Sequence, residues 1–318
     1  MIARAFRIGP FKALALAGVL LLASCGNFID PASKPRARPD GLVTNVPHEP
    51  SARSAALARY YERRQARLLA QDALRMDGGD IETPYTRTDL ARNFETIAFN
   101  SEHGRCGAMR PSPGEAQILR KWTTPVRLKV EFGTSISAEK RKKDTAALTK
   151  YAGRLSRVTG HPVSVANANT NFHVLVAGED DRDQVIRRIR EMSPDICDGT
   201  LEQIRNLSRN IFCLVLTFTS ERDERVYDKA IALIRAENPD LMRRACIHEE
   251  LAQGLGLLND SKDARPSIFN DDDEFALLTT HDEELLRLLY HPNLRPGMHL
   301  SQARPLIRRI LAGNPGQI

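Results

Sequence analysis

The order of elements between residues 123 and 256 constrains the fold more than any other feature of the sequence. TTPVRLKVEFG (123–133) alternates like a strand, with Val126, Leu128, Val130 and Phe132 on one side. ISAEKRKKDTAALTKYAGRLSRVTG then predicts a helix stopping at Gly160, since glycine readily takes the left-handed turn that ends helices. HPVSVANANTNFHVLVAGEDD holds two short strands, and DQVIRRIREM predicts another helix. IFCLVLTFTS (211–220) is an apolar, β-branched run with the composition of a buried strand, and the ambiguous DKAIALIRAE reads as the next one. Asn238-Pro239 opens a further helix, because proline suits a first helical position whose N–H has no partner anyway. The order β-α-β-β-α-β-β-α defines an α+β (α/β-like) domain. It has a twisted mixed sheet, a central helix at about 239–256 and a C-terminal helix at about 279–290. No internal repeat, P-loop or G-x-G-x-x-G interrupts it.

Outside that domain the chain changes character. MIARAFRIGPFK is basic, ALALAGVLLLAS is apolar but too short to span a bilayer comfortably, and Cys25 follows, so residues 1–24 read as a signal peptide. Residues 25–50 are rich in proline and poor in large apolar side chains, which makes them an extended tether. Residues 51–77 predict an Ala/Arg-rich helix between Ser51 and Gly78-Gly79, with Leu57, Tyr61 and Leu68 on one face. Its arginines (53, 59, 63, 64, 67 and 75) suit either anionic lipid headgroups or a solvated, partner-docking face. The main domain is placed at 83–298 and a C-terminal tail at 299–318.

Charge argues against nucleic acid as a partner. Arg4, Arg7 and Lys12 supply half of the formal charge of +6, and the remainder is not a global basic field. Beyond Cys25 four cysteines remain, Cys106, Cys197, Cys213 and Cys246, with no C-x-x-C spacing. An even number in an exported chain favours disulfides over a thiolate metal site. Of the three possible pairings, Cys213 with Cys246 is preferred because it would tie a strand to the central helix.

Leu22-Ala23-Ser24-Cys25-Gly26 resembles the bacterial lipobox. The resemblance implies cleavage before Cys25 and acylation of that residue by a diacylglycerol and a further chain such as palmitate. Two or three chains, at ~0.8 kcal/mol per buried CH2, would anchor the protein to a bilayer. In lipoproteins of this kind glycine after the cysteine goes with export to the outer membrane. The implied location is the bacterial cell envelope, facing the periplasm.

The central helix carries CIHEELAQGLGLLND (246–260), whose His-Glu pair invites comparison with H-E-x-x-H. From His248 the second ligand would fall on Ala252, which has no donor atom. One residue later the stretch resembles the metzincin pattern H-E-x-x-H-x-x-G-x-x-H/D. Glu249 and Gln253 then take the two helical ligand positions, Glu250 the general base, Gly256 the turn and Asn259 the third ligand. At ~3.6 residues per turn Glu249 and Gln253 share a face, while His248 points elsewhere as a local polar contact. SIFN (267–270) stands where metzincins have their Met-turn, with Phe269 in the methionine position. LTTHDEELLRLLYHP (278–292) resembles the matrixin closing helix through Leu278, Thr279, Asp282, Leu286, Leu289 and Tyr290. These blocks imply a zincin/metzincin-like domain.

The same blocks resemble a proteobacterial lipoprotein family catalogued as domain of unknown function 2927. Its runs C-I-x-E-E-L-x-Q-x-L-G-L-x-N-D, S-I-F-N-D and L-T-x-x-D-x-x-L-L-R-x-L-Y match Cys246–Asp260, Ser267–Asp271 and Leu278–Tyr290. Trp122–Arg127 and Pro296-Gly297-Met298 extend the likeness over most of residues 94–298.

Catalytic zinc needs three good ligands and an open position for water. Neutral amide oxygens such as those of Gln253 and Asn259 hold it poorly, so no zinc is expected and no metal is assigned. Asp260, Phe269 and Tyr290 complete the expected cleft. Calcium on Glu249, Asn259, Asp260 and the Asp271–Asp273 run is a weaker expectation, since that run lacks an EF-hand pattern. The expected function is an anchored envelope lipoprotein whose degenerate peptidase-like cleft binds a peptide or an envelope protein. The alternative is an atypical metallopeptidase or hydrolase using Glu250 as general base.

Overall fold

A computed structural model of the chain describes residues 49–79, 82–100, 118–270 and 272–313. The signal peptide, Cys25, nearly all of the tether, Cys106, Asp271 and residues 314–318 lie outside them. The described residues belong to one compact unit that includes the Ala/Arg-rich helix.

In chain order the elements begin with helix α1 (Ala52–Leu69) and helix α2 (Arg87–Ala98). Strands β1 (Lys121–Trp122) and β2 (Val126–Phe132), helix α3 (Ala138–Thr159), and strands β3 (Val163–Val165) and β4 (Phe172–Ala177) follow. Next come helices α4 (Arg182–Met192) and α5 (Asp198–Arg205) and the hairpin of β5 (Cys213–Ser220) and β6 (Asp223–Arg235). The chain closes with α6 (Asp240–Gly254), α7 (Thr280–Leu289) and α8 (Leu300–Ala312). The mixed α/β architecture read from the sequence is the one observed, with the central helix at 240–254.

The sheet runs β1-β6-β4-β2-β3 with parallel pairing throughout, and β5 joins β6 antiparallel. Side chains alternate across a strand, so each strand serves two layers. Phe172, Val174 and Val176 of β4, with Ala230, Ala232 and Ile234 of β6, face the larger core. α3, α6, α7 and α8 fill that core through residues such as Leu148, Leu251, Leu285 and Ile307. Leu175, Ala177, Ile231 and Leu233 face the other way, onto Val185, Ile189, Leu201 and Ile204 of α4 and α5. Helices thus cover both faces of the sheet, which explains why β4 and the second half of β6 are buried on both sides.

Local chemistry sets the helix ends. Ser137 caps α3 through its side chain and Gly160 ends it at φ +65°. Thr279 and Asp282 form a capping box at the start of α7. α1 departs from the expected 51–77 helix by ending at Leu69. Beyond it Leu74 N and Arg75 N donate to the carbonyls of Asp273 and Glu274, and Ala276 N donates to that of Arg75. Pairing with residues 273–276 outweighs the helix propensity of this stretch.

The segment placed in a C-terminal tail is mostly helix. α8 starts at Leu300 and buries Ala303, Ile307 and Leu311, an i, i+4, i+8 stripe, in the larger core. Ile307 is fully buried. Ile307→Ala is expected to destabilise the domain by roughly 2–5 kcal/mol, measured by urea unfolding. A loss of only a few tenths would mean that α8 is peripheral.

Candidate functional site

The site depends on how α6 is held. Its first turn carries Arg243, only 1% exposed, whose guanidinium donates to both carboxylate oxygens of Asp144 on α3 at 3.0 and 3.1 Å. The same group donates to the Asn238 carbonyl at 2.7 Å and to Asp240 at 2.8 Å. One turn on, Cys246 forms a disulfide with Cys213 of β5, with the Cα atoms 5.8 Å apart, so the preferred pairing is present. Cys197 is also disulfide-bonded. At the far end a Cβ on Gly254 would come within 2.5 Å of the Phe172 ring, so only glycine lets α6 approach β4 this closely. Trp122 donates to the Gly254 carbonyl at 2.8 Å.

Past α6 the chain turns at Gly256, with φ +129°. A Cβ there would meet the Arg120 carbonyl oxygen at 2.6 Å, so both backbone and space require glycine. The turn brings Asn259 against the end of α2. Its amide donates to the Thr96 carbonyl at 3.3 Å and the Asp260 carbonyl at 2.7 Å, while its backbone N–H donates to Ile97. The Gln253 amide donates to Asp260 Oδ1 at 3.4 Å.

The proposed site residues therefore form two groupings. Gln253, Asn259 and Asp260 make a hydrogen-bonded set at the C-terminal end of α6. Glu249 and Glu250 gather toward β5, where their carboxylates and the Cys213 sulfur lie within 4.8 Å of one another. Glu250 is 3% exposed and Gln253 6%. With Cys213 in a disulfide, this second group offers carboxylates but no thiolate, the form of cysteine that ligates metals.

Phe269 and Tyr290 belong to the larger core that α6 also lines. Phe269 is fully buried, and its turn hangs on Asp282, which accepts from the Ser267 hydroxyl at 2.5 Å and the Ile268 N–H at 3.0 Å. The Tyr290 hydroxyl donates to the Leu255 carbonyl at 3.0 Å, fixing the end of α6 against α7.

His248 lies outside both groupings. Its ring stacks on Tyr151 with centroids 3.8 Å apart, and its Nδ1 accepts from the Leu278 N–H at 3.0 Å. Burial pushes its pKa down to about 3, helped by Arg154, Arg244 and Lys150 and opposed by Asp282.

Several buried polar groups had no local signal. Lys121, 8% exposed, donates to the Leu289 carbonyl at 2.9 Å, and burial lowers its pKa to about 8. His281 and Asn93, both fully buried, pair at 3.1 Å between α7 and α2. Each joins elements distant in sequence, so only the fold reveals them.

The architecture and site define a two-faced α/β domain whose central helix presents paired carboxylates beside an edge strand. Residues 87–309 match the family described as "Protein of unknown function (DUF2927)", and the chain belongs to that family. The match starts with α2 and ends inside α8, beyond the Met298 boundary expected from sequence. No curated protein and no solved structure matches the chain.

His248 yields a pH test. The folded ring stays neutral down to about pH 3, whereas the unfolded ring titrates near pH ~6.5. Its contribution is complete above the unfolded value and is lost as pH falls toward the folded one, by at most ~1.4 kcal/mol per pH unit. Compared by urea unfolding between neutral pH and about pH 4, His248→Gln should lose less stability than the parent chain. Equal losses would remove His248 from the acid response.

Proposed function

We propose that this chain is an envelope lipoprotein, anchored through acylated Cys25, whose metzincin-like domain has exchanged zinc chemistry for binding a peptide or an envelope protein. The observation that carries the proposal is the Gln253–Asn259–Asp260 set. Two of the three positions where a metzincin would hold zinc carry amides, and both amides donate hydrogen bonds within the domain. A zinc-bound water, which a general base at Glu250 would need, has no adequate ligand set at these positions.

Support for the metzincin-like reading comes from arrangement. α6 ends in a glycine turn, Phe269 of the 267–270 turn is buried in the core that α6 also lines, and Tyr290 at the end of α7 is bonded back to Leu255. A mode of binding follows from β5. Among the described residues it pairs with β6 alone, on the side of the sheet where Glu249 and Glu250 gather. A strand with one free edge can accept an extended peptide through backbone hydrogen bonds. The lipobox-like sequence before Cys25 supports the anchor. No helix among the described residues is long and apolar enough to cross a membrane.

Two measurements test the proposal. Purified, disulfide-intact protein is expected to contain no stoichiometric zinc by elemental analysis and to cleave no peptide library. Stoichiometric zinc with turnover abolished by Glu250→Gln would establish a hydrolase instead. Chain expressed with its leader should partition into detergent, and Cys25→Ser should move it to the aqueous phase. Aqueous partitioning of the parent chain would refute the anchor.

A further inference from the structure

The disulfide and the two carboxylates on α6 occupy one spot. Among the described residues, Cys213, Glu249 and Glu250 form a group of three potential ligands whose donor atoms lie within 4.8 Å of one another. Cys246, whose sulfur is bonded to that of Cys213, adjoins this group without being one of its mutually close donors. It also precedes Glu249 and Glu250 by three and four residues, the spacing that puts side chains on one helix face. We infer that reducing the Cys213–Cys246 disulfide creates a zinc site in which both thiolates and the carboxylates of Glu249 and Glu250 are the ligands.

Geometry and ligand type both favour zinc. Tetrahedral zinc, with bonds of ~2.0–2.3 Å, places its ligand atoms roughly 3.3–3.8 Å apart, so small rotations bring Cys213, Glu249 and Glu250 into range, and breaking the disulfide frees the Cys246 side chain to turn toward them. Two soft thiolates with two carboxylates suit this ion, whereas the oxidised site has lost its sulfur ligands. Asn238, fully buried, points its amide nitrogen at the Cys246 sulfur from 3.8 Å, a donor that favours the thiolate. Both carboxylates already have partners in the oxidised protein, and zinc takes them over by exchange.

Access favours Cys213, which is partly exposed, over Cys246, which is 3% exposed. A dithiol reductant attacks the Cys213 sulfur and expels the Cys246 thiolate. Its second thiolate then displaces Cys213 and closes the reductant's own disulfide. Two electrons thereby pass from the dithiol to the protein sulfurs, and binding of zinc releases any protons they have taken up. The tie between β5 and α6 persists in both states, covalent in one and metal-bridged in the other. This site differs from the Gln253 and Asn259 positions and does not require that peptides bind.

The test uses full chain, oxidised or reduced with a phosphine, dialysed against zinc and analysed for metal. Cobalt substitution supplies a thiolate-to-metal charge-transfer band. The reduced chain should take up a single zinc and show the band, and the oxidised chain should do neither. Glu249→Gln with Glu250→Gln retains every cysteine and should weaken zinc binding at least ~10-fold. Cys213→Ser with Cys246→Ser should abolish it, with folding of each variant checked by circular dichroism. No zinc in the reduced chain, or full affinity in the folded double glutamine variant, would overturn the inference. Zinc in the oxidised chain would instead refute the metal-free reading of the Gln253–Asn259 positions, so the two failures are distinguishable.

Discussion

Arg243 and Asp144 are each almost completely buried, and their two-pronged contact fixes the helix on which the site is built. A lone buried charge is expensive to desolvate, so each of these groups requires the other. Arg243 also satisfies the Asn238 carbonyl, which the chain exposes as it leaves β6 and enters α6. The pair therefore fixes the angle of α6 to the sheet and its position against α3. The disulfide adds a tie one turn later, and the close approach of Gly254 to Phe172 fixes the other end.

Asp282 plays the corresponding part below the helix. Fully buried, it accepts hydrogen bonds from Ser267, Ile268 and Thr279, linking the 267–270 turn to the first turn of α7. The Leu278 N–H donates to His248, which ties the segment leading into α7 back to α6. Removing Asp282 would leave buried donors without acceptors, a larger loss than one hydrogen bond in water represents.

Elements with local signals were legible in the sequence. Alternation marked β2, the apolar run marked β5, and Gly160 gave the end of α3 in the left-handed conformation it adopts. The Cys213–Cys246 link was preferred among three possible pairings because it would tie a strand to the central helix, and that bond is present. α5 went unread because eight residues including Gly199 carry too little periodicity. α8 was mistaken for a tail because Pro305 lies inside it and Pro296-Gly297 precedes it, although its 303–307–311 stripe was present. α2 had a usable signal in the Thr86–Asp89 capping box. In the site, the sequence offered candidate residues but no signal of how they group. Consecutive glutamates on a helix normally diverge, and only the position of β5 shows that Glu249 and Glu250 both lie near Cys213.

That grouping separates two tasks carried by α6. The residues that hold it, Arg243, Cys246 and Gly254, occupy its first turn, its middle and its last turn. Glu249 and Gln253 lie between them, and Asn259 follows the Gly256 turn. The ion pair, the disulfide and the glycine contact run through Arg243, Cys246 and Gly254, and together they keep the helix in place. A scaffold built this way takes the position of α6 from an ion pair, a disulfide and a close glycine contact, which leaves the polar side chains of its second half to be set by other demands.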